Sequence, residues 1–293
     1  MKSRLNAHLL VLLATFLIAG SFIVSGKLSG VIDSISLTLF RFVFAALLLA
    51  PVILFKQKYR VKIILTFNRA MTISFFYALY FIGLFTSLEY TTALNTGTLF
   101  TLMPLLTALF SIFVFKQKIS LTQLLAYLVG IVGTCIVIFK GDLEQFYMLS
   151  LNKGDIIFLF SLISMALYSI SVKYLYKKDD ELIVVVFMTL VGGSIWMGLA
   201  LGILDIPLEW YKIKNELFLY MMYLSIGATF FTVYLNQKAT VILGPKKVMS
   251  YIYLSPAVIA LIVSIFGHNP ISFKVFIGIL ISSCATIFLL TKE

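Results

Sequence analysis

Apolar residues run along this chain in blocks of about twenty, each closed by a short polar stretch. Ten such blocks stand out, at about 7–26, 33–55, 70–88, 94–115, 121–139, 155–176, 182–204, 216–236, 247–266 and 273–291. A helix of roughly 20 apolar residues crosses the ~30 Å hydrocarbon core of a bilayer. Helices are favoured there because lipid offers no partner for an exposed backbone group. The pattern predicts an all-α membrane protein with ten transmembrane helices. The first block, behind Lys2 and Arg4, resembles a signal peptide with Ala19-Gly20-Ser21 as its cleavage site. Its apolar run is longer than a signal core, and it is read as an uncleaved helix.

Composition agrees. Of 293 residues, 61% are hydrophobic and 12% charged, about half the ~25% charge of a soluble domain. A soluble enzyme, a disordered chain and a disulfide scaffold are excluded, and the loops leave no room for a soluble catalytic domain. The net charge of +11 would suggest nucleic acid in a soluble protein. With the N-terminus inside, however, 16 of the 23 Lys and Arg fall on the cytoplasmic side and six on the other, with Arg41 inside a span. Cytoplasmic loops select for Lys and Arg. Both termini are therefore expected in the cytoplasm of a multi-pass plasma (inner) membrane protein, and no nucleic-acid partner is needed. Cys135 and Cys284 lie within apolar runs and read as small buried residues. No G-x-x-x-x-G-K-[ST] motif occurs, and no cofactor or metal is expected.

The ten spans divide into two sets of five. Thr101-Leu-Met-Pro104-Leu-Leu-Thr-Ala-Leu-Phe in the fourth is paired with Tyr253-Leu-Ser-Pro256-Ala-Val-Ile-Ala-Leu-Ile in the ninth. At the same offset Ile119-Ser120 matches Ile271-Ser272, and Ala126 and Gly130 match Gly278 and Ser282. Ser25-Gly-Lys27 corresponds to Ser171-Val-Lys173 at the ends of the first and sixth spans. Five is odd, so the second copy starts on the opposite side of the membrane. The halves, 1–145 and 150–293, are read as inverted five-helix repeats, an architecture of many secondary transporters.

With those residues in order, the sequence resembles the drug/metabolite transporter superfamily, in its ten-helix EamA-type branch. The resemblance covers about 7–291 and rests on Gly20-Ser21, Lys27, Arg41-Phe42, Tyr90-Thr91, Pro104 and Pro256 at family spacing. Ala19 stands where the family often has Trp, and Gln117 and Asn269 stand where it usually has Glu. The resemblance implies a secondary carrier for amino acids, their derivatives or related metabolites, often an exporter. It also implies a central cavity lined by helices one to four and six to nine, with the fifth and tenth peripheral.

Few polar groups are available inside such a protein, and they form the candidate list. Arg41 is the strong charge deep in a span, on a stripe with Ser34 and Thr38. Burying it costs at least a few kcal/mol, and a guanidinium could hold a substrate carboxylate through two hydrogen bonds. It could equally snorkel or satisfy neighbouring backbone. Phe187 stands at the repeat-equivalent position, so symmetry does not demand the charge. Tyr77 and Tyr80 with Ser74 in the third span, and Tyr168 with Ser161, Ser164 and Ser171 in the sixth, could face solute or simply bond between helices. The eighth span adds Tyr220, Tyr223 and Tyr234. In the fourth span Asn95, Thr98 and Thr101 share an arc ahead of Pro104; Ser250, Tyr251 and Tyr253 do the same ahead of Pro256. Both prolines read as hinge or shape residues. These two arcs are ranked above the tyrosines as pathway residues. Ser194, Gly198 and Gly202 are spaced for close helix approach or a homodimer seam.

The acids fall at predicted ends or loops, Glu89 and Asp33 coming nearest to a span, so no buried carboxylate relay is visible. His8 and His268 are terminal to their spans, and Trp196 and Trp210 suggest no aromatic cage. The function expected is secondary transport of a small-molecule substrate within the lipid bilayer. A membrane enzyme on lipid-linked substrates would need a catalytic cluster, but Asp179-Asp180-Glu181 beside Lys177-Lys178 reads as a solvated turn. A receptor or assembly factor on the same scaffold is the remaining alternative.

Overall fold

The computed structural model describes residues 2–28, 30–142, 144–145, 151–267 and 270–291. His268, Asn269 and Lys292 lie outside the described residues. Among the described residues nine helices are long and apolar enough to cross a membrane, and one bent pair brings the number to ten. The first five spans are Arg4–Leu28, Ser34–Phe55, Gln57–Leu88, the pair Ala93–Phe100 and Met103–Phe115, and Leu121–Ile138. The next five are Lys153–Leu175, Leu182–Leu204, Glu216–Leu243, Pro245–Phe266 and Phe273–Thr291.

Short polar signals start several of these helices. The Asp33 carboxylate accepts from the Ile35 and Ser36 N–H groups ahead of the second span. Ser120 with Gln123, and Asn152 with Asp155, form capping boxes on the fifth and sixth. Each box satisfies backbone donors that the first helical turn leaves without partners.

The helices depart from simple rods in three places. The third span begins at Gln57 rather than near residue 70. The stretch Gln57–Arg69 contains neither Gly nor Pro, so nothing stops the helix from extending beyond the apolar block. At 32 residues it is about 48 Å long. The fourth span bends by 41° between Phe100 and Met103, with Pro104 in the first turn of the outgoing piece. A 3-10 turn over Tyr251–Leu254 interrupts the ninth just before Pro256. Proline has no N–H to donate to the preceding turn, so it starts a new piece rather than continuing an old one. The eighth span departs without a proline: it is a π-helix over Tyr223–Phe231.

The two sets of five interlock. The third span leaves its own set to pack on the sixth and seventh; the eighth packs on the first and second. The second lies against the seventh, the fourth against the sixth and ninth, and the fifth chiefly against the tenth. The fifth–tenth contact is close enough that a Cβ at Gly133 would meet the Ser282 amide nitrogen at 2.6 Å. The largest apolar core joins the second, third, sixth and seventh spans, including Phe42, Ile73, Tyr77, Tyr168 and Leu190. The first helix is part of the packing: Ala7 and Val11 sit with Ala239, Val248 and Tyr251.

Candidate functional site

Arg41 projects from the second span into the bundle and is 9% exposed. Its Nε donates to the Thr229 hydroxyl at 2.9 Å, and an Nη donates to the Ala228 carbonyl at 3.4 Å. Both acceptors belong to the π segment of the eighth span, which lies in the other half of the chain. The guanidinium therefore bridges the halves rather than snorkelling to an interface. Thr38, on the same stripe, is fully buried and donates to the Ser34 carbonyl of its own helix.

Beside Arg41 an aromatic column crosses between the halves. Phe42 stacks on Tyr77 with centroids 5.5 Å apart, and Tyr77 stacks on Tyr168 at 4.3 Å. Phe81 packs edge-on against Phe42, Tyr77 and Tyr80. The column ends at Gln237, whose amide donates to the Tyr168 hydroxyl at 3.4 Å and to Thr189 at 3.1 Å. The Gln237 carbonyl oxygen is buried with no partner. Arg41, Tyr77, Tyr80 and Tyr168, from three spans, thus lie in one region.

The structure does not bring the two proline-linked arcs into that region as sets of free hydroxyls. Thr98 donates to the Leu94 carbonyl and Thr101 to the Thr98 carbonyl. Ser250 likewise donates to Lys246. Tyr251 hydrogen-bonds the Nδ1 of His8 at 2.8 Å. Tyr253 is fully buried against the fifth span and donates to the Tyr127 carbonyl at 3.1 Å. A hydroxyl four residues after a free helical carbonyl finds a partner within its own turn, so a polar stripe does not by itself indicate a wet face.

Asn95 takes part in a cluster that the sequence reading missed. Asp155, read as an acid at a span end, is 1% exposed. Its carboxylate accepts from the Thr91 hydroxyl at 2.6 Å, the Asn95 amide at 3.2 Å and the Asn152 backbone N–H at 3.0 Å. Asn152 donates in turn to Thr91 at 3.1 Å. The cluster ties the short helix Ala93–Phe100 to the start of the sixth span. The capping-box spacing of Asn152 and Asp155 was a legible signal; that Thr91 and Asn95 would close over it was not.

The acid cluster also differs from a solvated turn. Arg69 holds Asp180 through two hydrogen bonds, at 2.5 and 2.8 Å, and its Nη1 donates as well to the Leu175 carbonyl. Lys58 pairs with Glu181 at 2.5 Å, and Lys62 donates to the Asp179 carbonyl. Burial alone would push the Asp180 carboxyl up. The Arg69 hydrogen bond, the Lys177 backbone N–H and the Arg69 and Lys62 charges outweigh it and hold the carboxyl below its ordinary range. The long third span supplies every one of these side-chain cations, so its extension past the apolar block places the clasp.

Among the described residues no group of His, Cys, Asp or Glu is arranged to hold a metal. A groove of about 350 Å³ lies between the second and seventh spans, lined by Val43, Ala46, Leu47, Phe187, Val191 and Ser194. It is apolar and open, unlike the Arg41 region. Gly198 and Gly202 meet nothing within 4 Å, whereas Gly130 and Gly278 face Tyr253 and the Gly133 carbonyl. Of these small-residue stripes, those of the fifth and tenth spans meet a neighbouring helix closely, and that of the seventh is left open at Gly198 and Gly202.

Interlocked sets of five apolar spans, with a charged and aromatic centre bridging them, define a two-repeat helical membrane protein of the transporter kind. The chain belongs to the EamA-like transporter family, whose profile matches it twice, over residues 5–139 and 152–291. It is 29% identical over 118 residues to an uncharacterized transporter, YyaM, of Bacillus subtilis (strain 168). That match covers 40% of this chain and 37% of YyaM. A protein of known crystal structure shares the fold with a TM-score of 0.77 at 17% identity, over 98% of this chain and 96% of its own.

Proposed function

We propose that this membrane transporter is a secondary carrier, an exporter or exchanger, of small polar metabolites such as amino acids or their derivatives. The two repeats, 1–145 and 150–293, rock about a midplane site in alternating access, with both termini in the cytoplasm and the protein in the plasma membrane. It has no enzymatic step of its own.

One observation carries the reading. The third span packs on the other half's sixth and seventh spans, and the eighth packs on the first and second. A solute at the centre would therefore touch both halves, and moving one against the other would change its access. Arg41, Tyr77, Tyr80 and Tyr168 are the residues we assign to that centre, and Pro104 and Pro256, which follow the bend of the fourth span and the 3-10 turn of the ninth, are its hinge or shape residues. Purified protein in liposomes, with a labelled panel of amino acids and related metabolites inside and out, provides the test. Exchange of at least one solute above protein-free vesicles is expected. A folded protein that exchanges none of a broad panel would defeat the proposal.

A further inference from the structure

The eighth span is the repeat counterpart of the third, yet the two differ at one place. The third is a continuous α-helix over Gln57–Leu88, whereas the eighth winds as a π-helix over Tyr223–Phe231. A nine-residue π stretch is uncommon, and π segments concentrate at functional sites. Its wider winding shows in Thr229, whose hydroxyl reaches the Leu224 carbonyl five residues back at 2.8 Å. The Ala228 carbonyl accepts from both Thr232 and Arg41. Ser225, on the same segment, buries a hydroxyl with no partner. This departure from repeat symmetry thus coincides with another, the charge at position 41 where the second repeat has Phe187.

Arg41 is docked there without a counter-ion. The ion pairs among the described residues, Lys58–Glu181, Arg69–Asp180 and Lys212–Glu209, each use an acid in a loop or at a helix end, away from Arg41. Its two bonds go to a neutral hydroxyl and a neutral carbonyl. The remaining Nη1 makes no hydrogen bond within the protein, and the buried side chain keeps 9% of its surface accessible. A guanidinium held by its Nε edge presents its Nη edge in a fixed plane, the geometry that grips a carboxylate through two parallel bonds. An intramembrane cation with no anion nearby is costly, and an incoming carboxylate would relieve that cost.

We propose that Arg41 is the carboxylate subsite of the transport pathway and that Thr229, on the π segment, is its positioning residue. The carrier then selects carboxylate-bearing solutes over neutral or amidated ones of the same size. Thr229 holds Nε so that both Nη groups can turn to the solute. On binding, the carboxylate displaces the long Ala228 contact and keeps the Thr229 bond. This rests on the transporter reading and adds to it the chemical class of the solute.

Two measurements separate the proposal from that reading. In proteoliposomes loaded with a mixture of labelled amino acids, external free acids compete for exchange, while the matching amino-acid amides compete at least about tenfold less well, equivalent to about 1.4 kcal/mol. Arg41→Leu removes the discrimination and Arg41→Lys keeps part of it. Thr229→Val raises the half-saturating concentration of the acids about tenfold at unchanged maximal rate, and Thr229→Ser restores it. A purely structural Arg41 would change stability without changing acid-over-amide preference. In detergent, acids and not amides raise the melting temperature of the wild type, and neither raises that of Arg41→Leu. Amides that compete and stabilise as well as acids overturn the carboxylate subsite, whether or not transport is seen. Acid-specific stabilisation without any exchange keeps the subsite and defeats the transporter reading.

Discussion

Asp155→Ala should loosen the short helix Ala93–Phe100. The carboxylate accepts from Thr91, Asn95 and the Asn152 N–H, at 2.6, 3.2 and 3.0 Å, and is itself almost completely buried. Hydrogen bonds to a charged group contribute about 1.5–3 kcal/mol each, and a stranded donor costs about 1–3 kcal/mol. All three donors belong to half-buried residues, so water can recover part of the loss. A total near 2–4 kcal/mol follows. At roughly 2–4 °C per kcal/mol for a chain of this order of size, the melting temperature should fall by about 5–12 °C. Intrinsic tryptophan fluorescence of the purified protein in detergent, scanned at one fixed rate, measures it. Asp155→Asn keeps the shape but turns a donor toward donors, and should lose about half as much. Thr91→Ala combined with Asp155→Ala should cost less than the two singles added, because they share one bond. A melting temperature for Asp155→Ala within about 2 °C of wild type would refute the reasoning, since it would mean the carboxylate holds nothing.

The Arg69–Asp180 clasp should show in the pH dependence. A carboxyl held below its ordinary value of 3.8 stabilises the fold above that value, and the contribution is lost as pH falls through the depressed one. Asp180→Asn should therefore be less stable than wild type by about 1–2 kcal/mol at pH 6, with the gap closing below pH 3.8; a gap that widens in acid would contradict the assignment. Gly278→Leu must push a side chain into the Gly133 carbonyl, 2.9 Å from its Cβ, and should cost more than about 2 kcal/mol. Gly198→Leu meets nothing within 4 Å and should leave the melting temperature of the monomer unchanged; equal effects would show that the fifth–tenth contact is looser than described. Tyr253→Phe loses one bond to the Tyr127 carbonyl, about 1 kcal/mol, while Tyr253→Ala empties a fully buried site for about 3–5 kcal/mol; thermal scans of both should separate by that margin.

Much of the fold was legible in the chain because lipid simplifies the code. A bilayer demands long apolar helices, so the ten blocks could be read at once and only their ends were misjudged, as at Gln57. The offset that pairs Pro104 with Pro256 carried the repeat, and those prolines marked both interruptions, since a missing N–H is a local fact. The site was harder to read. Hydropathy identifies Arg41 as expensive but says nothing of its partner, which lies 188 residues away. Thr98 and Thr101 carry the same atoms as Thr229, yet they bond to their own turn while Thr229 meets a guanidinium; that difference depends on which helix lies opposite. Asp155 read as an acid at a span end because two of its donors, Thr91 and Asn95, come from some sixty residues earlier. The π segment holds no proline, and Gly227 within it did not announce the change of winding. The sequence by itself determined where the chain crosses the membrane and that it does so twice over in the same pattern, because burial in lipid and backbone hydrogen bonding are local demands. Only the tertiary structure decided which few polar groups meet, because a hydroxyl or a charge is satisfied by whatever the other repeat places beside it.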